Sequence, residues 1–113
     1  MKVINVSKNI TLAEDAAVAR TMLQNTEGLL NATAPRAMLL RTRWGIHTFE
    51  MRFPIDVVIT DATSIVRKIR RGLPPNRFFF WNPKYRRVLE LPEGAIEKSG
   101  TEVGDMLAFP EEQ

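Results

Sequence analysis

The chain is 113 residues long, 44% hydrophobic and 26% charged, proportions that fit one soluble globular domain over residues 1–113 and exclude a disordered or low-complexity chain. It contains no cysteine, which excludes disulfides, thiolate metal sites and thiol nucleophiles, and no apolar run approaches the roughly 18–20 residues of a membrane span. The net charge of +3 is unevenly spread: residues 36–87 hold twelve basic and three acidic side chains, residues 88–113 one basic and seven acidic.

In chain order, KVINVS is β-branched and reads as a first strand. TLAEDAAVARTML follows, where Thr11 and Glu14 have capping-box spacing and Leu12, Ala16, Ala19 and Leu23 share a helical face. An N-terminal helix is therefore expected, ending near Asn25 or Gly28. From Met38 the character is β: AMLL and HTFEMRF read as strands, IDVVITD as a buried strand, DATS as a turn and SIVRKIRR as the strand that pairs back, making a hairpin over 55–71. Pro54 marks a corner between two strands, a cis bond being one way to make it. GLPPNR is a loop because adjacent prolines remove amide donors. RRVLELP is another strand, and Pro92 with Gly100 brackets a short helix near residues 92–99. DMLAF closes the sheet, and residues 110–113 form a frayed tail.

The fold class expected is α+β, mainly β, with a small closed or half-open barrel-like sheet, one N-terminal helix and one short helix. The opening MKVINVSKNITLAED lacks the roughly 7–15 residue apolar core of a secretory signal. The chain therefore reads as cytoplasmic, with no membrane partner.

Three blocks, IHTFEMRFPIDVVITD, GLPPNR and VLELPEGAIEKSGTEVGD, preceded by GLL at residues 28–30 and AMLL, resemble the domain of unknown function 192 family of small prokaryotic proteins over about residues 10–108. The resemblance implies a compact, largely β fold with a barrel-like sheet and flanking helical segments. It implies no reaction, cofactor or partner, and many members carry an export signal that this chain lacks. Two departures stand out. Many members have Trp-Met-Lys-Asn where Glu50, Met51, Arg52 and Phe53 stand, and glycine where Ala37 stands, so no role is carried over to a lysine or asparagine there.

His47 is the single histidine. In a continuous strand it would share the inward face with Phe49, Met51 and Phe53, leaving Thr48, Glu50 and Arg52 outside. A histidine there is expected to stay neutral and hydrogen-bonded, a structural role. The ligand-binding candidates are Arg43, His47, Glu50, Arg52, Asp56 and Glu90, placed where the His47 strand, the approach from Arg41 to Trp44 and the LELP strand meet. An enzymatic alternative is a hydrolase of an anionic small molecule, with His47 as general base, Glu50, Asp56 or Glu90 orienting it and Arg41, Arg43 or Arg52 clamping the charge. The serines lack a nucleophile elbow, one histidine is a poor start for zinc, and no phosphate-cradling glycine motif is present. No metal or cofactor is expected.

The basic middle and acidic end admit two readings, a surface for an anionic partner or mutual neutralisation in one small fold, the second being preferred. RKIRRGLPPNRFFFWNPKYRR interleaves cations with rings, the pattern of single-stranded nucleic-acid sites. Its candidates are Arg70, Arg71, Arg77, Phe79 and Trp81. The favoured account of that run is structural, with Phe78 to Trp81 closing the core and the cations outside. The chain thus reads as a small binding or accessory domain of unidentified, anion-compatible ligand.

Overall fold

The computed structural model describes residues 1–18, 36–43, 45–49 and 51–110. Among the described residues, ten strands run β1 (Val3–Asn5), β2 (Ile10–Ala13), β3 (Ala17–Val18), β4 (Met38–Arg41), β5 (Gly45–His47), β6 (Ile55–Thr60), β7 (Val66–Leu73), β8 (Phe78–Phe80), β9 (Arg87–Pro92) and β10 (Leu107–Ala108), with one short helix, α1 (Ala95–Ser99), before β10. They form a five-stranded sheet in the order β3-β4-β9-β6-β7, a three-stranded sheet β10-β1-β2 and a ribbon β5-β8. Among the described residues the sheets are open, so of the closed or half-open barrel expected from the sequence no closed barrel is formed.

The five-stranded sheet is apolar on both faces. One face carries Leu39, Val58, Leu89 and Leu91, which pack with Val3, Leu12, Leu107, Phe109 and Ile96 from the three-stranded sheet and α1. The other carries Met38, Leu40, Val57, Ile59 and Val88, which pack with Ile46 and Trp81 from the ribbon side. Burial on both sides explains why IDVVIT is an unbroken buried run rather than an alternating one.

The expected N-terminal helix is not seen. Residues 10–13 and 17–18 are strands instead, with no helix at 14–16 between them, and the expected span from residue 19 to Asn25 or Gly28 lies outside the described residues. The reason is pairing: Asn9 takes a left-handed conformation, φ 55, which asparagine tolerates, and turns β2 back antiparallel on β1 with Ile4 opposite Thr11. Core burial of Leu12 then overrides the local capping pattern.

The hairpin of β6 and β7 is present, and its turn is built by Asp61, whose Oδ1 accepts the amides of Thr63 (2.9 Å) and Ile65 (3.0 Å). Pro92 ends β9 rather than starting the helix; α1 begins after Gly94 and stops at Gly100, φ 66. No cis peptide occurs among the described residues, Pro54 included.

Two polar groups tie layers together. Asp56, buried in β6, accepts the amide of Gly72 on Oδ1 (2.9 Å) and those of Gly94 (3.1 Å) and Ile96 (3.0 Å) on Oδ2. It fixes the end of β7 and caps α1, whose own N-cap glycine has no side chain to do so. Asn5 donates to Thr101 Oγ1 and Asp105 Oδ2, both at 3.0 Å, while Lys8 Nζ pairs with Glu102 (2.7 Å) and Asp105 Oδ1 (3.1 Å). Two carboxylates of the acidic end thus meet a lysine of the first third.

Candidate functional site: the outer face of the β5-β8 ribbon

Residues 45–53 do not form one strand. β5 stops at His47, and a turn follows in which the Met51 amide donates to the Thr48 carbonyl at 3.2 Å. The inward residues of the first part are Ile46 and Thr48, not His47 and Phe49. Thr48 holds this register: its Oγ1 donates to the Pro74 carbonyl (2.6 Å) and accepts the Arg77 amide (2.9 Å). Met51 is buried only because the turn has shifted the alternation.

The reversed register turns His47 and Phe49 outward. β8 pairs with β5 antiparallel, Gly45 opposite Phe80, Ile46 opposite Phe79 and His47 opposite Phe78. With strand period two, Ile46 and Phe79 face the core and the other members face away. The outer face is therefore a file of rings. His47 stacks on Phe49 at 5.2 Å between centroids, Phe49 meets Phe78 edge-on at 4.7 Å, and Phe78 stacks with Phe80 at 5.6 Å. Phe78 and Phe80 are 59% and 61% exposed. Gly45 makes the end of the file possible, since a Cβ there would lie 2.6 Å from Phe80 Cδ1 and 2.5 Å from the Phe79 carbonyl oxygen.

Exposed cations lie on the segments next to the ribbon, and one of them covers its inward ring. Lys68 Nζ lies 5.2 Å from the Phe79 centroid and donates to the Phe80 carbonyl at 3.3 Å. Arg70 shares its face of β7, because Lys68 and Arg70 pair with Ile59 and Val57. Arg77, next to Phe78, is exposed, as are Arg43, Arg52 and Arg71.

The residues singled out from the sequence do not converge on one cleft. Asp56 is engaged by three amides, and Glu90 is fully buried in mid-β9, between Met38 and Val57 in register. Glu50 and Trp44 lie outside the described residues. His47 Nδ1 is buried and has no hydrogen-bond partner among the described residues, so the expected bond is not found at that nitrogen. Trp81 is 6% exposed and donates its indole N–H to the Tyr85 carbonyl at 2.6 Å, and Phe79 packs against the core. These two rings are held inside, and the rings presented are Phe78, Phe80 and Phe49, which sequence reasoning missed. The signal was available: in FFFW only alternate side chains of a strand can share the core.

Among the described residues no group of three or more histidine, cysteine or acidic side chains is placed to hold a metal ion, and no helix is long and apolar enough to cross a membrane.

Comparison with solved structures finds a protein of unknown function from Novosphingobium aromaticivorans DSM 12444, TM-score 0.78 at 18% identity, covering 96% of this chain and 82% of the other. A second, described as a "putative transcription regulator" from Sinorhizobium meliloti 1021, has TM-score 0.73 at 22% identity, covering 95% and 89%. At these identities the likeness is one of fold. No curated protein matches. The model of an uncharacterised family, domain of unknown function 192, matches residues 3–109, nearly the whole chain, and the protein belongs to that family.

Proposed function

We propose that this chain is a binding module whose working surface is the outer face of the β5-β8 ribbon and whose ligand is single-stranded nucleic acid. The observation that carries this reading is the file of Phe49, Phe78 and Phe80, left in water on a ribbon whose neighbouring segments carry the exposed cations Lys68, Arg70 and Arg77. Contiguous exposed apolar surface marks interaction sites. Rings alone would suit many partners; exposed cations on the neighbouring segments suit phosphates running past stacked bases.

The neighbour described as a "putative transcription regulator" is compatible with this reading but shares only the fold. The hydrolase reading has less support. Asp56 is held by backbone amides, away from the role of orienting His47.

The test is fluorescence anisotropy with a labelled oligothymidylate. Binding is expected at low salt, with log affinity falling linearly in log salt at a slope of about −0.7 per phosphate contacted. Phe78→Ala and Phe80→Ala should each weaken it about tenfold, the loss of one stacked base. No binding at low salt, or binding indifferent to both substitutions, would overturn the reading.

A further inference from the structure

Phe78 and Phe80 stand two residues apart on the outer face of β8, and their rings are nearly parallel, with 15° between planes and 5.6 Å between centroids. Among the described residues no other pair of exposed rings has this geometry. Phe49 meets Phe78 edge-on, at 76°, and His47, tilted 29° from Phe49, is half-buried.

Both rings are supported from below. Gly45, opposite Phe80 in register, lets that ring lie over the β5 backbone, where a Cβ would come within 2.6 Å of Phe80 Cδ1. Phe78 is braced by its edge-on contact with Phe49 at 4.7 Å, and Lys68 Nζ holds the end of β8 through the Phe80 carbonyl at 3.3 Å.

Strand geometry sets how far apart two such rings can stand. Residues i and i+2 of a strand are separated by about 6.6–6.8 Å, and successive bases of a nucleic-acid strand stack about 3.4 Å apart. Two parallel rings upright on one strand therefore have room for one planar base, covered on both faces. In the free protein the rings lean together to 5.6 Å. More than half of each is exposed, so rotation about side-chain torsions is enough to part them. The surroundings suit a phosphate strand: Lys68, Arg70, Arg71 and Arg77 are exposed, and residues 67–87 contain no carboxylate.

We infer that Phe78 and Phe80 are the two jaws of a clamp that takes a single base of the strand between them. The clamp rests on the assignment of the ring file to single-stranded nucleic acid, and it adds how a base is held and which strands are preferred. A base covered on both faces cannot stack on its neighbours in the strand, so strands whose bases stack strongly on one another resist entry. Thymine runs are therefore preferred over adenine runs.

Anisotropy with labelled oligothymidylate and oligoadenylate of equal length tests this on the parent, Phe78→Ala, Phe80→Ala and the double variant. The parent is expected to bind the thymidylate more tightly. Each single variant should lose about tenfold, and the double variant hardly more than either, because one jaw alone no longer encloses a base. Two independent stacking platforms would instead combine to a loss of about a hundredfold. Equal affinity for the two strands, or a hundredfold loss in the double variant, would overturn the clamp and leave the ring file as a nucleic-acid surface. No binding of either strand would remove both. If the parent then self-associates in sedimentation and the double variant does not, the rings belong to a contact with a second copy of the chain.

Discussion

Asp56 Oδ2 accepts the Ile96 amide at 3.0 Å across forty residues of sequence, so a carboxylate in the middle strand region caps a helix that has no cap of its own. Asp56→Ala would strand three amides. Only the Ile96 amide is fully buried, the other two being partly buried, and an unsatisfied buried group costs about 1–3 kcal/mol, so the loss should be about that much, a sizeable share of a typical domain's stability of about 5–15 kcal/mol. Asp56→Asn retains one acceptor oxygen and should fall between. Urea midpoints measure both; a loss for the alanine variant below about 1 kcal/mol would deny the anchor.

Acid should loosen the other end of the molecule. Burial pushes the Asp105 carboxyl upward, but the Asn5 amide, the Glu102 N–H and the Lys8 ammonium outweigh it, and the net position is below the ordinary value. A carboxyl lowered on folding contributes stability that is complete above its unfolded value, about 3.9, and is lost as pH falls through the lower folded value. Asp61 is pulled down in the same sense, its burial outweighed by the Ile65 amide, Thr63 and Arg67. Asp105→Asn should therefore lower the melting temperature at neutral pH, with the deficit against the parent shrinking once pH drops below about 4. Melts over a pH series check this; a constant deficit would contradict it.

Gly45→Ala is expected to disturb the ring file without emptying the core. The added methyl meets the Phe79 carbonyl oxygen and the Phe80 ring, and overpacking of this kind costs about 1–3 kcal/mol. Ring-current shifts of the Phe78 and Phe80 protons should change together, since the two rings stack. Unmoved spectra would mean that Phe80 does not cover Gly45 in solution.

The four aromatics of residues 78–81 should separate by stability. Phe78→Ala and Phe80→Ala remove exposed rings and should stay within about 0.5 kcal/mol of the parent. Trp81→Ala empties a buried site and should cost about 3–5 kcal/mol. Equal losses at all positions would mean that the outer rings are packed after all.

His47→Phe offers a test of the imidazole. Its Nδ1 is buried and has no hydrogen-bond partner among the described residues, so removing that polar atom while keeping the stack on Phe49 should be neutral, or stabilising by up to about 1 kcal/mol. A substantial loss of stability would reveal a bond that the imidazole makes in solution.

What the sequence made legible follows from which signals are local. The unbroken IDVVIT run, the Asp61 turn and the return strand form a hairpin of neighbours, and Gly100 stops α1 where a left-handed residue is required. Residues 11–18 misled because a capping-box spacing competes with pairing to β1, a contact the local pattern does not encode. The stretch from His47 to Phe53 misled for another reason: one turn at Thr48 to Met51 shifts the alternation, so Ile46 and Thr48 go inside while Phe49 goes out. The basic residues of the middle were placed at the surface correctly, as Arg43, Arg52, Arg70, Arg71 and Arg77 are exposed. Which rings accompany them depended on the register of β8 against β5, a non-local fact.

The position of β9 between β4 and β6 has a kinetic consequence. β4 and β6 are both made well before β9, and neither pairs with the other. During synthesis the β6-β7 hairpin can close early, whereas Leu39 and Leu40 must wait until VLEL emerges and inserts between the two. Such late insertion of a middle strand makes folding slow and leaves an adhesive intermediate. Chains truncated before residue 87 should accordingly be recovered as aggregates, while those that lose only the last few residues fold.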